Sequence, residues 1–168
     1  QVLINGFNMT SARSSALESI SAVLEGNRNI YWRLTVRENL EFFAALKGKN
    51  PKTLSSEMEK YIDFFRLGEK VNVEARKLSR GMQQKLSIAV AMIANTPILV
   101  LDEPTLGLDV QASYEIRMLL RQVVAEEGRT IILTTPRNCC YLKPFSRKSS
   151  SSFADISSTV LAVCSRFL

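Results

Sequence analysis

Apolar positions along the chain follow two kinds of spacing, which predict strands and helices respectively. Residues 2–4 and 20–24 are short apolar runs with β-branched content, and they predict strands. The polar segment 8–19 between them opens with a turn and continues in a sequence that suits a helix. Residues 97–101 are a continuous apolar run, a pattern typical of a strand covered on both faces of a sheet, and residues 130–135 predict another buried strand.

Two helices are predicted in the stretch that follows residue 35. Thr35-Val36-Arg37-Glu38 has the pattern of a capping box, in which the two end residues bond each other's backbone amide. A helix therefore begins there, and it stops near Gly48. A second helix is predicted over roughly residues 54–67, with its apolar residues on one face and Gly68 as its C-cap.

Helices and strands alternate in the next part of the chain. Residues 79–94 predict a helix, and the apolar run that begins at residue 97 predicts the strand after it. Asp109 can cap a long helix that extends to about Glu127 and ends at Gly128, before the next strand. This order predicts an α/β fold with a mostly parallel sheet.

The composition is that of a globular protein. The 168 residues suffice for one domain, and 46% of them are hydrophobic while 23% are charged. No apolar run approaches the roughly 20 residues that a bilayer-spanning helix needs. The first residues contain neither an initiator methionine nor a signal-peptide pattern, so we expect the chain to begin partway through a domain.

The net charge of +6 is concentrated in one segment. Residues 137–168 contain five basic residues and one acid, whereas the part before them contains 17 basic and 15 acidic residues. A nearly balanced body argues against a basic groove, so we expect no nucleic-acid partner. The three cysteines also lie in 137–168, and with no histidine in the chain their spacing matches no zinc motif.

Paired acids follow the apolar run at residues 98–101. Asp102 and Glu103 lie where the predicted strand ends, and the carboxyl ends of parallel strands form the ligand-binding edge of open α/β sheets. One carboxylate can hold Mg²⁺, and the next can orient or deprotonate the water that attacks a γ-phosphate. The alternative is a strand that simply ends in two solvated acids.

A second candidate site lies upstream, in Leu78-Ser79-Arg80-Gly81-Met82-Gln83-Gln84, at the start of a predicted helix. A hydroxyl and a glycine there suit a phosphate, because the free amides and the helix dipole favour an anion. Ordinary helix capping by Ser79 is the alternative. Downstream of the paired acids, Leu106-Gly107-Leu108-Asp109 predicts a tight loop before a helix.

These three segments resemble the ATP-binding domains of ABC transporters. Leu78, Ser79 and Gly81 match the signature motif of that family, in which Arg80 and Met82 replace the commonest glycine and glutamine. Residues 98–103 match the Walker B strand, and residues 106–109 match the D-loop. The resemblance covers roughly residues 1–135. It implies a P-loop NTPase-like, mostly parallel sheet with a helical subdomain over about residues 36–94.

The resemblance implies a role for each matching residue. Glu103 corresponds to the catalytic glutamate, and Asp102 corresponds to the magnesium residue. Glu25 occupies the Q-loop position, where most members have glutamine, and its carboxylate can still coordinate Mg²⁺. Nucleotide binding is implied for Leu78, Ser79, Arg80, Gly81, Gln83, Glu25 and Asp109. Tyr31 and Trp32 lie where the family contacts its membrane partner, with core packing of Trp32 as the alternative.

The resemblance also implies a function for the whole protein. Two such domains would sandwich ATP and Mg²⁺, hydrolyse the ATP, and thereby drive export through a transmembrane permease. We expect a cytoplasmic location at the inner face of the cell membrane. A non-catalytic gene fragment is one alternative. A non-transport ABC ATPase acting on nucleic acid or ribosomes is a weaker one, because no coiled-coil insertion or tandem domain is visible.

Two departures from the family pattern affect the expected activity. The chain contains no Gly-x-x-x-x-Gly-Lys-Ser/Thr motif, so we expect this Walker A loop to be truncated and the chain to be inactive alone. Pro136 stands where family members usually have histidine, and residues 136–168 form a divergent, serine-rich tail. One inserted base converts His-Glu codons into Pro-Arg codons, so we hypothesise a frameshift there; a regulatory linker is the alternative.

Overall fold

The computed structural model describes residues 1–25, 29–50, 53–135 and 160–164. The strands in this part are β1 (Leu3–Ile4), β2 (Phe7–Asn8), β3 (Ile20–Val23), β4 (Ile98–Asp102), β5 (Thr130–Thr135) and β6 (Val160–Cys164). The α-helices are α1 (Arg13–Glu18), α2 (Val36–Leu46), α3 (Ser55–Phe64), α4 (Arg80–Ile93) and α5 (Val110–Glu127). None of the described helices combines the length and the apolar character needed to cross a membrane.

Four strands form a parallel sheet in the order β3-β4-β5-β6. The register pairs Ile20 with Ile98 and Leu99 with Ile131, so β4 lies between β3 and β5. The predicted α/β class with a parallel sheet is confirmed. Residues 160–164, within the segment predicted to be divergent, form β6 beside β5. The remainder of the tail, Pro136 included, lies outside the described residues.

The prediction that β4 is covered on both faces is wrong. Leu99 and Leu101 are 1% and 0% exposed, whereas Ile98 and Val100, on the opposite face, are only half-buried. The strand order supplies the reason, because each connection moves the chain one strand in the same direction. Right-handed crossovers then all fall on one face of the sheet. β5 shows the same alternation of burial.

The start of the chain forms a hairpin where a single strand was predicted over residues 2–4. β1 and β2 pair antiparallel across Asn5 and Gly6, whose φ angles are 48° and 81°. Asn-Gly favours two-residue hairpin turns because both central residues of a type I′ turn need positive φ. The Asn5-Gly6 dipeptide therefore indicates the hairpin, whereas the pattern of apolar residues does not.

The predicted caps of α2 and α5 are confirmed. Thr35 Oγ1 accepts a hydrogen bond from the amide of Glu38 (3.2 Å), and Glu38 Oε2 accepts one from the amide of Thr35 (2.8 Å). Asp109 Oδ1 accepts a hydrogen bond from the amide of Ala112 (2.7 Å) at the start of α5. Gly128, at φ 63°, ends that helix in the left-handed conformation.

The predicted end of the second helix is wrong. α3 ends at Phe64, and Gly68, predicted to be its C-cap, instead opens a short 3₁₀ helix that spans Gly68–Lys70. Arg66 takes the left-handed conformation, with φ 55°. This is the conformation that a glycine usually supplies just after a helix, so Arg66 turns the chain before Gly68 is reached.

α4 is the central element of the helical part. Its second half, from Leu86 to Ile93, is buried without interruption, and both α2 and α3 pack against it. Its buried residues belong to the same hydrophobic core as Leu99 and Leu101 of the sheet. α4 therefore connects the helical part to the sheet, while its N-terminus at Arg80 remains exposed.

Candidate functional site

Acidic side chains collect at the carboxyl edge of the sheet. Asp102 is the last residue of β4, Glu103 follows it, and Glu25 comes two residues after β3. Thr134 of β5 is in register with Asp102 and so lies at the same edge. The parallel sheet thus brings together the three acids that the sequence analysis singles out.

Thr134 holds both members of the acidic pair. Its hydroxyl donates a short hydrogen bond to Asp102 Oδ1. The amide of Glu103 donates to the carbonyl oxygen of Thr134 (3.2 Å) and lies 3.1 Å from the hydroxyl oxygen of the same residue. The family motifs give Thr134 no role. Its hydroxyl, near the end of the strand after the paired acids, is the signal that the sequence offers.

Glu103 has an unusual backbone. Its φ is 47°, in the left-handed region that a non-glycine residue occupies at a cost of about 1–3 kcal/mol. The two contacts of its amide with Thr134 hold this conformation, and its carbonyl oxygen accepts a hydrogen bond from the amide of Leu106 (3.0 Å). The turn directs the chain out of the sheet immediately after Asp102. Strain of this kind concentrates at functional sites, so it supports a functional role for Glu103.

The acids influence one another electrostatically. Partial burial raises the pKa of the Glu103 carboxyl, and the nearby negative charges of Glu25 and Asp102 raise it further. Like charges that are held together disfavour ionisation, so this arrangement costs folding energy unless a cation compensates it. The cluster is therefore suited to bind a positive ion or to accept a proton.

The first prediction concerns this repulsion. Glu103→Gln should raise the urea midpoint of the chain at pH 7, because it removes one of three mutually repelling charges. Since the pKa of Glu103 is raised on folding, the folded state binds more protons, and the wild-type protein recovers stability as the pH falls. The advantage of the variant should therefore shrink between pH 7 and about pH 4, near the ordinary carboxyl pKa.

Urea unfolding at several pH values tests this prediction, with Glu126→Gln as a control at an exposed acid of α5. The control should show no comparable change with pH. A lower midpoint for Glu103→Gln at pH 7, or an advantage that grows in acid, would contradict the proposed repulsion.

The donors at this edge fit a magnesium ion. Mg²⁺ prefers oxygen ligands and is usually bound by one or two carboxylates together with water and substrate phosphates. In the described ranges, no group of three or more acid, histidine or cysteine side chains is arranged to hold a metal ion by itself. Asp102 and Glu25 therefore fit an ion that a bound phosphate helps to hold, rather than a closed cage of protein ligands.

The second predicted site lies at the start of α4. Ser79 is the N-cap, its hydroxyl accepts a hydrogen bond from the amide of Met82 (3.3 Å), and both Ser79 and Arg80 are exposed. Leu78 and Gln83, by contrast, are each 7% exposed. The side-chain amide nitrogen of Gln83 donates to the backbone carbonyl oxygens of Ala75 and Leu78. Gln83 therefore has a structural role here, and its predicted part in nucleotide binding stays a prediction.

Gly81 lies where α4 packs against α5. A Cβ atom at Gly81 would lie 3.1 Å from the Cβ of Ala112, so a side chain there requires Ala112 to shift by a few tenths of an ångström. One turn further along, the Lys85 ammonium is 2.7 Å from the Glu115 carboxylate. The Lys85 hydrogen bond, followed by that of Gln111, lowers the pKa of Glu115. The absence of a side chain at the glycine predicted to bind phosphate thus also suits the close packing of α4 on α5.

The packing of Gly81 against Ala112 leads to the second prediction. In a double-mutant cycle, Gly81→Ala should be less favourable by about 1 kcal/mol in the wild-type chain than in an Ala112→Gly background. The reason is that the background variant makes room for the new methyl group. Free energies of unfolding in urea measure the difference. Gly68→Ala, whose added Cβ meets nothing closer than 4.0 Å, serves as the control and should not depend on residue 112.

The segment matching the D-loop is a tight turn between Glu103 and α5. Gly107 has φ 70°, and a Cβ there would lie 3.2 Å from the Arg80 guanidinium nitrogen Nη1. Asp109 is exposed, and its carboxylate caps α5. Arg80 therefore lies against the D-loop of its own chain. The predicted role of Asp109 in nucleotide binding is untested by this contact.

The two candidate sites remain separate within one chain. In the part of the chain that the structure describes, no hydrogen bond or ion pair joins Ser79 or Gly81 to Asp102 or Glu103. The structure thus brings the three acids together and places the Ser79 segment at the start of another element.

Comparison with known proteins identifies the class of protein to which this fold belongs. The sequence model described as ABC transporter matches residues 1–106, which is more than half of the chain. The chain therefore belongs to the ABC transporter family.

Three relatives indicate its place in that family. The human retinal-specific phospholipid-transporting ATPase ABCA4 is 37% identical over 134 residues, which cover 80% of this chain and 6% of ABCA4. The ABC transporter ATP-binding protein NatA of Bacillus subtilis is 30% identical over 134 residues, covering 80% of this chain and 54% of NatA. The Nod factor export ATP-binding protein I of Rhizobium etli is 41% identical over 107 residues, which cover 64% of this chain and 34% of that protein.

A solved structure agrees with the sequence relatives. The structure of cbiO1 from Clostridium perfringens, part of the ABC transporter complex cbiONQ, superposes with a TM-score of 0.68 at 25% identity. The match covers 79% of this chain and 52% of cbiO1. The predicted P-loop NTPase-like α/β fold is confirmed. The chain spans about half or less of the length of NatA, ABCA4, the Nod factor export protein and cbiO1.

Proposed function

We propose that this chain is part of an ATP-binding domain that hydrolyses ATP to drive transport across a membrane. The observation that carries the proposal is the strained, hydrogen-bonded Glu103 at the carboxyl edge of the sheet, beside Asp102 and Glu25. Such a cluster of oxygen donors suits a Mg²⁺-bound polyphosphate, whose cation offsets the repulsion among the acids. The relatives named as ATPases or ATP-binding proteins support the same activity.

Each acid then has a distinct task. Asp102, held by Thr134, would bind the magnesium ion, and Glu25 would supply a second oxygen ligand. The ion, when bound, neutralises negative charge on the phosphates. Glu103 would orient the attacking water and accept its proton, a task that its raised pKa favours. Its left-handed backbone lets it turn away from the sheet while its amide remains anchored to Thr134.

The start of α4 would complete the nucleotide site of a second ATP-binding domain. α4 has 14 residues, and the amides of its first turn together with its dipole favour a phosphate near Ser79. Arg80 adds an exposed positive charge next to this terminus. Gly81 allows close approach, and Leu78 and Gln83 support the segment from the buried side. A pair of chains is therefore the proposed functional unit.

A candidate partner surface includes an open cleft of about 320 Å³. Residues of β3, α2 and α4 line it, Phe43 and Leu46 among them, together with Lys47. The Phe43 ring contacts Tyr31, which is 51% exposed, and Trp32 beside it is 38% exposed. We assign this surface to a transmembrane permease, so the domain would act at the inner face of the cell membrane. Export is the proposed direction.

Activity should depend on a phosphate-binding loop that these 168 residues do not contain. The chain alone should bind ATP weakly and show no turnover, because the β- and γ-phosphates lack a P-loop. Exchanging the matching 134 residues into NatA of Bacillus subtilis should give a chimera that hydrolyses ATP with Mg²⁺.

The chimera and the isolated chain should be assayed side by side for phosphate release. Turnover by the chimera alone supports the proposal. A folded chimera without turnover would favour the alternative, a non-catalytic gene fragment. Turnover by the isolated chain would contradict the need for the loop.

A further inference from the structure

The segment from Tyr31 to Thr35 is held rigidly from one side by a single buried side chain. Asn39 is 0% exposed, and its Oδ1 accepts a hydrogen bond from the amide of Tyr31 (2.7 Å). Its Nδ2 lies within hydrogen-bond distance of the carbonyl oxygens of Tyr31 (3.1 Å), Leu34 (3.1 Å) and Thr35 (2.9 Å). The exposed aromatic pair Tyr31 and Trp32 therefore lies on a fixed piece of backbone.

The same segment is bonded on its other side to the residues that lead into α4. The amide of Arg76 donates to the carbonyl oxygen of Trp32 (3.0 Å), and the amide of Ala75 donates to that of Leu34 (2.9 Å). Thr35 also forms an isolated β-bridge with Glu74. Displacement of Trp32 cannot therefore leave the backbone at Ala75 and Arg76 unchanged.

Gln83 connects this backbone to the start of α4. Its side-chain nitrogen donates to the carbonyl oxygens of Ala75 and Leu78, each at 3.1 Å, so both of its hydrogens are used. In the helix, the amide of Gln83 donates to the carbonyl oxygen of Ser79 (2.9 Å). Because Gln83 is buried, water cannot replace these bonds without local opening.

We propose that Gln83 is a positioning residue that couples the Trp32 segment to Ser79. A partner that moves Trp32 shifts the backbone of Ala75 and Arg76. Because the Gln83 side-chain amide bonds both Ala75 and Leu78, Leu78 and the helix start at Ser79 shift as well. Two parts of this proposal rest on the proposed function: the permease as the partner, and the nucleotide as the ligand near Ser79. The hydrogen-bonded connection itself is a property of this chain alone.

The matched pair Gln83→Met and Gln84→Met tests the connection. Methionine keeps the length and helix preference of glutamine but donates no hydrogen bond. In Gln83→Met, amide exchange at Ala75 and Arg76 should rise about tenfold or more, as the loss of a buried hydrogen bond implies. The emission of Trp32, the only tryptophan in the chain, should change as well. Gln84→Met should behave like the wild type.

Amides of the ladder between β4 and β5 provide the internal reference. A general loss of stability raises exchange there as much as at Arg76, whereas loss of positioning raises it only at Ala75 and Arg76. Equal exchange at Arg76 in the two variants, or a rise shared with the ladder, would overturn the proposal.

A measurement on the wild-type chain needs no variant to fold. Native-state exchange in low urea should give one shared opening free energy for the amides of Tyr31 and Arg76 and for the side-chain amide of Gln83. Three different opening free energies would overturn the proposal. Since neither nucleotide nor permease takes part, failure here leaves the proposed function intact, and an inactive NatA chimera leaves this connection intact.

Discussion

Glu103→Gln should lower the turnover number for ATP hydrolysis by the NatA chimera about 10²- to 10⁴-fold, the range that general-base catalysis contributes. Glutamine keeps the shape of the side chain but cannot accept a proton from the attacking water. The Michaelis constant for ATP should change little, because Asp102 and Glu25 would still hold the ion. The loss should therefore appear in the turnover number alone.

Steady-state phosphate release at several ATP concentrations measures this effect, and Glu126→Gln in the same chimera is the control. Nucleotide binding by Glu103→Gln should also be measured, to separate lost chemistry from lost binding. A decrease of less than about tenfold would remove Glu103 from the role of general base. An equal decrease in the control would point to a defect of the chimera.

Arg129→Met should produce a large loss of stability, about 3–5 kcal/mol, as expected when one partner of a buried charge network is removed. Arg129 is 7% exposed and lies 2.7 Å from the Glu127 carboxylate. Its guanidinium also donates to the Tyr61 hydroxyl (2.8 Å), to Asn95 Oδ1 (3.0 Å) and to the carbonyl oxygen of Met92 (3.2 Å). The variant therefore leaves several buried acceptors without a donor.

This network joins α3 to the end of α4 and to the start of β5. Burial raises the pKa of Tyr61, while the positive charge of Arg129 acts in the opposite direction. Tyr61 therefore stays protonated across the accessible pH range, and its hydroxyl can keep its place between Arg129 and Glu127. Arg129 thus fastens the helical part of the domain to the sheet.

Lys60→Met is the matched control, because Lys60 pairs with the same Glu127 at the same 2.7 Å but is 56% exposed. Exposed pairs contribute about 0–1 kcal/mol, so this variant should lose little. Urea unfolding of both variants measures the two free energies. A loss below about 1 kcal/mol for Arg129→Met, or equal losses for both, would contradict the importance of burial.

The sequence motifs predicted local features of the structure because neighbouring residues form them. The capping box at Thr35 and the cap at Asp109 each depend on atoms three residues apart, and both appear as predicted. The acids Asp102 and Glu103 follow a strand whose apolar residues identify it. Spacing within one element suffices for such features, since backbone geometry alone brings the atoms together.

Side-chain roles that depend on a second element did not follow from the sequence. The family resemblance implies only nucleotide binding for Gly81 and Gln83, and that role stays a prediction. The structure adds that Gly81 lies close to Ala112 and that the Gln83 side chain bonds the carbonyl oxygen of Ala75. The half-buried face of β4 also did not follow from the sequence, because an apolar run does not indicate on which face of the sheet the helices pack.

The sequence by itself therefore determined the order of the longer helices and of β3, β4 and β5, the caps at Thr35 and Asp109, the acidic pair and the family motifs. These features arise from short-range geometry and from residue types at fixed spacing. Only the tertiary structure decided that Glu25 lies near Glu103, that Thr134 anchors the acidic pair, and that Arg129 is buried. The hydrogen bond from Arg129 to Tyr61 joins residues that are 68 positions apart in the sequence. Contacts of that range depend on how the helices and strands pack, and local sequence pattern does not encode that packing.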